Sequence, residues 1–468
     1  MLPGLSRLAD HGLLWLAAAA GLWLTGGRRA RRAAWRGVGS MAAASVAANV
    51  IGKGMTGRRR PDLDVPVSRR LPRAPRTTSF PSGHAAVAAA FATGAVIEMP
   101  SLAAPGIALA SAVGASRVAT GMHYPSDVLA GTAIGAAAAL ATLRWWPRRP
   151  PWPAAAIRLP RRAPASASGE GLVLIVNTSA GRASTRLARQ LAAGLPRATV
   201  IETSAGQDLA GRLRLAAAGA RILGVAGGDG TVCAAAAVAA ETGLPLLVIP
   251  AGTFNHFAAD LGIGSARDAL AALRDGEAAA VDLGLAGGRA FVNTSSTGVY
   301  VDLVNARRQL EPVLGKRLAE VVALISALRH GRPHELVLDS RRRRLWLYFA
   351  GNCRYEPQGM VPAYRPDLAD GWLDIRIVEA AVLARSRLVA AALTGTLGRS
   401  RVYRSWLARS VDVRAADGRT VWLSTDGEVG TAESGLVHAK HPRGLVVYRR
   451  SGRATTVHLG DAEPRPAL

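Results

Sequence analysis

The stretch ILGVAGGDGT, residues 222–231, decides the fold of the larger part of this 468-residue chain. Its apolar first half reads as a buried strand, its glycines as a turn, and the Ala-rich VCAAAAVAAET that follows as a helix. Such a turn lets main-chain amides and the positive end of a helix dipole approach a phosphate. Outward from it, GLVLIVN (171–177), ATVIET (198–203) and PLLVIPAGT (245–253) also read as strands. Helical stretches near 184–194, 207–219 and 232–241 alternate with them, as in an α/β repeat with a parallel sheet. Beyond residue 280 the runs shorten to RAFVNTSS, HELVLDS, RLWLYFAGN, WLDIRIV, TVWLSTDG and GLVVYRR. They predict a β-rich second lobe, interrupted by a helix over 312–329.

The front of the chain has another character. Apolar stretches at 12–25, 38–52, 84–98, 101–121 and 126–143 hold hardly any acidic residue. Each is near or below the roughly 20 residues of a spanning helix, but five so close together predict a membrane bundle. Their small residues allow close packing. The first stretch does not read as a cleaved signal, because no charged leader precedes it and Arg follows it. Between the first two stretches, RRARRAAWR (28–36) reads as a basic loop. Residues 144–169 are rich in Pro and Arg and read as a linker, with Trp145, Trp146 and Trp152 suited to a membrane interface.

The expected architecture is therefore multi-domain: an N-terminal all-α membrane helix bundle, then an α/β nucleotide-binding lobe and a β-rich second lobe. The boundaries fall at 1–145 for the bundle, 146–169 for the linker, 170–282 for the α/β lobe and 283–455 for the β-rich lobe. The chain has 58 basic against 32 acidic residues, a net charge of +26. That balance suits anionic lipid, although Lys is confined to Lys53, Lys316 and Lys440 while Arg and Ala abound, as in a GC-rich genome. Aromatic residues are sparse and not interleaved with the basic runs, which argues against nucleic acid as a partner. Cys233 and Cys353 are too few for a disulfide framework or a zinc site and read as ordinary buried thiols.

Three motifs lie between the front helices: Lys53 with Arg60–Pro61, PSGH (Pro81–His84), and SRVATGMHYPSD (Ser116–Asp127). Together they supply cations, two histidines and a carboxylate, the kit of phosphoryl transfer by a nucleophile. A His four residues before an Asp suits orientation by that carboxylate. In type, order and spacing the set resembles the type-2 phosphatidic acid phosphatase superfamily, with its KxxxxxxRP, PSGH and SRxxxxxHxxxD pattern, over about residues 50–130. The resemblance implies His123 as nucleophile through a phosphohistidine, Asp127 holding its imidazole, and His84 as general acid. Lys53, Arg60, Arg117, Ser82 and the Gly83 amide would bind phosphate. No metal or other cofactor is implied for this half.

The turn at 227–231 is joined by VNTSAG after the first strand, by PAGTFNHFAADLGI (Pro250–Ile263), and by DGE (Asp426–Glu428) near the end. This set resembles the diacylglycerol kinase catalytic family, which includes sphingosine kinases and bacterial lipid kinases, over about residues 170–450. By that resemblance Asn177, Gly227, Gly228, Asp229, Gly230 and Thr231 belong to a nucleotide site taking ATP and Mg²⁺. Gly252, Thr253 and Asn255 would line the neighbouring cleft. Glu428 would be the general base on a lipid hydroxyl, with Asp426 beside it. DLADGWLD resembles the family's structural-metal segment, with Asp370 donating its side chain and Asp367 and Trp372 their carbonyls. Two departures stand out: Val232, Cys233 and Ala234 replace the pattern that often follows GGDGT with a Glu, and His256 stands where GTxND ends in Asp.

The expected function is a bifunctional membrane enzyme acting on lipids and lipid phosphates. Use of ATP places the kinase on the cytoplasmic side and, counting back through the spans, the phosphatase loops on the outer side. The alternative keeps the phosphatase and makes the second part a regulatory nucleotide- or lipid-binding module. A scaffold without either activity is a third class, which the complete set of phosphatase motifs disfavours. The sequence does not choose the lipid or the oligomeric state.

Overall fold

The computed structural model describes residues 12–52, 58–61, 78–150, 153–179, 182–204, 206–252, 255–357, 363–381, 391, 396, 398, 400–433 and 435–450. The chain divides into two compact units, Met1–Arg149 and Pro150–Leu468.

The front unit is helical: α1 Leu13–Thr25, α2 Arg28–Val46 with a π-helical continuation through Gly52, α3 Gly83–Glu98, α4 Ala103–Ala119 and α5 Pro125–Ala141. Its interior is built from small residues. A Cβ on Gly131 would come within 2.3 Å of the Ser82 carbonyl oxygen, and one on Gly135 within 2.2 Å of that of Ala86. Glycine at both positions is what lets α3 and α5 touch through their backbones. Trp15 and Phe91 are buried among them, whereas Leu24, Ile107 and Leu129 turn outward and are 71%, 62% and 70% exposed. Two helical stretches, Pro100–Ala119 and Pro125–Arg144, are long and apolar enough to cross a membrane, and Leu13–Leu24 and Gly83–Glu98 are shorter apolar helices.

The basic cluster 28–36 is not a loop. It forms the first turns of α2, since Arg and Ala are strong helix formers and Glu98 offers the charges a partner. Arg32 Nε and Arg36 Nε each donate to the Glu98 carboxylate at 2.8 Å, and Arg36 also reaches the Thr142 hydroxyl and the Trp146 carbonyl. The start of α2, the end of α3 and the residues after α5 are thereby pinned at one end of the bundle. The three phosphatase motifs lie toward the other ends of these helices.

The second unit holds a continuous sheet. Strands β1 Ile157–Arg158, β2 Leu172–Asn177, β3 Thr199–Thr203, β4 Ile222–Gly227 and β5 Leu246–Pro250 come first, with α6 Arg182–Gly194, α7 Leu209–Ala218 and α8 Asp229–Thr242 between them. The order β5-β4-β2-β3 is parallel throughout, as the alternation predicts. After α9 His256–Asp260 and α10 Ala266–Asp275, the chain turns to antiparallel strands β6 Ala278–Ala286, β7 Arg289–Phe291 and β8 Thr294–Gly298. Helix α11 covers Val299–His330, well beyond the expected 312–329, and is broken at Gly315, whose φ is 70°. Strands β9 His334–Leu338, β10 Arg341–Asn352, β11 Leu373–Glu379, β12 Tyr403–Ala408, β13 Ser410–Ala415, β14 Val421–Thr425, β15 Glu428–Ala432 and β16 Leu436–Tyr448 complete it.

The sheet is one because β16 pairs antiparallel with β6 along one edge, while its other edge pairs antiparallel with β13 near its start and parallel with β5 near its end. Two apolar cores lie along it, one around Leu174, Val225, Val248 and Phe257, the other around Phe291, Tyr348, Ile375 and Val413. The expected linker also ends early. From Ala154 onward it belongs to this unit: Ala154 N donates to Asp260 O, β1 pairs with β6, and Ala163 joins the first core.

Candidate active sites

In the front unit, hydrogen bonds stitch the three motifs together. Ser79 N donates to Arg58 O at 3.0 Å, tying the first motif's segment to the second. Ser82 N donates to Asp127 O at 3.0 Å, and Arg60 Nη1 to Met122 O at 2.9 Å, tying both to the third. Ser82 caps α3, its hydroxyl accepting from Ala85 N, and so sets Gly83 and His84 in the helix's first turn. Arg117, 2% exposed, ends α4, and its carbonyl receives the amides of Met122 and His123. Lys53 lies outside the described residues.

His123 is buried, and its Nδ1 is 2.7 Å from the Ser79 carbonyl oxygen. A carbonyl only accepts, so Nδ1 carries the hydrogen and Nε2 keeps its lone pair. The expected partner Asp127 is farther, with Oδ2 3.7 Å from Nδ1. At that ion-pair distance Asp127 also serves the start of α5, where Oδ2 accepts from Tyr124 N at 2.9 Å, and Arg58, whose Nη1 is 3.0 Å from Oδ1. Arg58 also stacks over the Tyr124 ring at 4.1 Å and bonds the Ser126 hydroxyl. The sequence marked it only as one of a run of arginines. Burial, reinforced by the positive charge of Arg60, lowers the His123 pKa to about 4, so the imidazole is neutral near pH 7.

In the second unit, the β4–α8 turn and the β5–α9 turn meet backbone to backbone. A Cβ on Gly252 would fall 2.4 Å from Gly228 Cα, which only glycine avoids. Asn255, at φ 50°, folds this loop by accepting from Gly252 N at 2.9 Å and donating to Gly252 O. Asp229 opens α8 and accepts from His256 N at 2.8 Å, so the residue replacing the expected Asp serves through its amide. Asn177 donates to the Thr231 hydroxyl at 3.0 Å. Thr253 lies outside the described residues.

The DGE turn reaches this glycine turn: Glu428 Oε1 is 3.2 Å from where a Cβ on Gly230 would stand. Its other oxygen accepts from Arg308 Nη2 of α11 at 2.8 Å. Asp426, half-buried, accepts the amides of Val292, Asn293 and Thr294 at 2.8, 2.9 and 2.8 Å. It is a positioning residue that fixes the β14–β15 turn against β8. Cys233 is beside it; burial and the Asp426 charge raise the thiol's pKa, so it stays protonated against the carboxylate. Burial in turn pushes the Asp426 carboxyl above its usual range, opposed by the Cys233 contact and by the three amides.

The expected structural-metal segment does not fit a metal. Asp370 Oδ1 and Oδ2 already accept from Trp372 N at 2.9 Å and Arg354 N at 2.7 Å, and Trp372 O accepts from Cys353 N at 3.1 Å. The Asp367 side chain turns back to Ala369 N. The ammonium of Lys440 lies 3.9 Å from Asp370 Oδ1 and 3.0 Å from Cys353 Sγ. Both cysteines are thiols packed into the interior as expected, Cys353 beside Asp282 and Asp370 and Cys233 beside the single carboxylate of Asp426.

A buried neutral histidine among stitched cationic loops, followed by a glycine turn facing a carboxylate, defines phosphatase and kinase domains in one chain. Residues 33–151 match the PAP2 superfamily, and residues 171–286 match the diacylglycerol kinase catalytic domain. A Mycobacterium tuberculosis protein named decaprenylphosphoryl-5-phosphoribose phosphatase is 36% identical over 137 residues, covering 28% of this chain and 72% of its own. A protein of that organism named diacylglycerol kinase is 32% identical over 194 residues, covering 38% of this chain and 63% of its own length. A crystal structure of a diacylglycerol kinase from Bacillus anthracis aligns with 19% identity and a TM-score of 0.42, covering 60% of this chain and 97% of that one. The chain belongs to the PAP2 superfamily in its front unit and carries a diacylglycerol kinase catalytic domain behind it.

Proposed function

We propose that the chain is a bifunctional membrane enzyme that dephosphorylates one lipid phosphate and phosphorylates the hydroxyl of a diacylglycerol-like lipid with ATP. The observation that carries this is the junction of the three motifs on His123, whose Nδ1 is held by Ser79 O and whose Nε2 is left as an electron pair. His123 Nε2 attacks the phosphorus of the lipid phosphate, the P–O bond to the lipid breaks, and His84 protonates the departing oxygen. Water then attacks the phosphohistidine, giving its proton to His84, and inorganic phosphate leaves. Lys53, Arg60, Arg117, Ser82 and the Gly83 amide hold the phosphate oxygens throughout.

In the kinase, Glu428 accepts the proton of the lipid hydroxyl as its oxygen attacks the γ-phosphorus of ATP. The glycine turn 227–230, with Thr231 and Asn177, would hold the nucleotide phosphates, and Asp229 would hold Mg²⁺. Bound Mg²⁺ neutralises charge on those phosphates. Arg308 orients the Glu428 carboxylate.

The outward Leu, Ile and Trp side chains of the front helices support a membrane location. The Arg32–Arg36–Glu98 clamp at the end where α5 leaves the bundle supports a cytoplasmic kinase and phosphatase loops on the outer side. Arg58, on the loop placed outside, has its charge paired with Asp127. Arg69, Arg70, Arg73 and Arg76 lie outside the described residues.

The test is a panel of lipids and lipid phosphates given to the purified wild type, His123→Ala and Asp229→Ala. His123→Ala should lose phosphate release and keep lipid phosphorylation, and Asp229→Ala the reverse. ATP-dependent lipid phosphorylation absent from the wild type would favour the regulatory-module alternative.

A further inference from the structure

In the second unit a lysine occupies the middle of a closed polar cage. Lys440 is on β16, and its side chain is 2% exposed. Its Nζ lies 2.6 Å from Asn352 Oδ1, 3.0 Å from Cys353 Sγ, 3.4 Å from Asp282 Oδ2 and 3.9 Å from Asp370 Oδ1. Asp282, Cys353 and Asp370 are the one group of three such donors close enough to share a cation among the described residues. The cage joins parts of the unit that are far apart in sequence: β6 through Asp282, the end of β10 through Asn352 and Cys353, and the 367–372 turn through Asp370. The two carboxylates are already built into the backbone. Asp282 accepts from Gly371 N at 2.8 Å and Arg443 N at 2.7 Å, and Asp370 from Arg354 N and Trp372 N.

We infer that the Lys440 ammonium is the resident cation of this cage, beside the Asp370 carboxylate that the family resemblance assigns to a structural metal, so that the kinase unit folds without a divalent ion. The chemistry favours it. Two buried carboxylates repel each other unless a positive charge lies between them, and an ammonium donates three hydrogens to acceptors arranged around it. A metal there would have to displace a buried ammonium, whose own charge would then be left unpaired beside the ion. A divalent ion also wants oxygen ligands at about 2.0–2.6 Å, whereas the amides that hold Asp282 and Asp370 fix those oxygens in place.

The experiment uses the full chain in detergent without nucleotide, so that the ATP-linked Mg²⁺ does not contribute. Thermal unfolding is recorded in EDTA, Mg²⁺ and Mn²⁺, with Mn²⁺ binding followed by electron paramagnetic resonance, for the wild type, Asp370→Asn and Lys440→Met. The wild type should unfold at the same temperature in all three conditions and show no Mn²⁺ site that Asp370→Asn removes. Lys440→Met leaves the carboxylates unbalanced and should unfold lower by roughly 6 °C or more, with Mg²⁺ or Mn²⁺ recovering part of the loss. A wild type that loses stability in EDTA, or binds Mn²⁺ in an Asp370-dependent way, overturns the inference. So does a Lys440→Met protein as stable as the wild type. Should Lys440→Met fail to fold, the wild-type and Asp370→Asn comparison decides by itself.

Discussion

The imidazole of His123 is held by the carbonyl oxygen of Ser79, 2.7 Å from Nδ1, with Asp127 standing 1.0 Å farther away at 3.7 Å. The tautomer of the proposed nucleophile therefore depends on main chain from the PSGH side of the site, with the carboxylate four residues on at ion-pair distance. In Asp127→Asn, the amide oxygen still accepts from Tyr124 N while the bond to Ser79 survives. Phosphate release should fall by no more than about 100-fold, against loss beyond about 1000-fold for His123→Ala. Equal losses in the two variants would show that the carboxylate itself orients the ring.

The lowered pKa of His123 sets the pH behaviour of the phosphatase. Its folded value of about 4 lies below the ordinary 6.5, because burial disfavours the imidazolium and Arg60 adds a like charge. Between those two values the unfolded chain takes up a proton that the folded site refuses, so this group's contribution to stability is whole above pH 6.5 and declines as pH falls toward 4. The nucleophile stays neutral across the same window. The acid limb of kcat/KM should thus fall near pH 4 rather than near 6.5. Arg60→Gln removes the like charge and should move that limb upward, besides weakening phosphate binding. A limb unmoved by the substitution would mean that Arg60 does not reach the imidazole.

Much of this was legible in the sequence because phosphoryl-transfer chemistry needs particular side chains in a particular order, and GGDGT and PSGH are such strings. The parallel strands β2, β4 and β5 were legible because they are largely buried on both faces and read as apolar runs. The role of Ser79 was not, since a main-chain carbonyl has no residue signature. Lys440 reads as a surface lysine in HAKHPRG, and only the fold brings it to Asp282, 158 positions earlier in the chain yet 3.4 Å away. The basic segment 28–36 reads as a loop because its helix-stabilising partner, Glu98, is more than 60 residues on.

Asp426 and Glu428 should separate by stability. Asp426 accepts three main-chain amides and is half-buried, so Asp426→Asn exchanges a charged acceptor for a weaker one and puts an NH₂ group against an amide. A destabilisation of about 2–3 kcal/mol is expected, with kinase activity falling alongside the unfolding midpoint. Glu428 is exposed and its partner Arg308 is exposed too, so Glu428→Gln should leave the midpoint unchanged while kcat for lipid phosphorylation drops by about 100-fold or more. Differential scanning calorimetry beside a kinase assay distinguishes the two. A Glu428→Gln enzyme with normal kcat would remove it as the base.

Gly252 provides a test of the nucleotide cleft that does not touch any charged group. Its absent Cβ would stand 2.4 Å from Gly228 Cα, inside contact distance of backbone that cannot rotate away. Gly252→Ala must therefore push apart the β4–α8 and β5–α9 turns, and the displacement acts on the amides proposed to hold the ATP phosphates. A shift near 1 Å at such a site costs about 100-fold in kcat/KM. Gly194→Ala is the control, because a Cβ there meets nothing within 4 Å. ATP titrations of lipid phosphorylation should show the loss in Gly252→Ala and wild-type behaviour in Gly194→Ala, with phosphate release unchanged in both. A Gly252→Ala enzyme with wild-type affinity for ATP would mean that the nucleotide lies elsewhere than at this pair of turns.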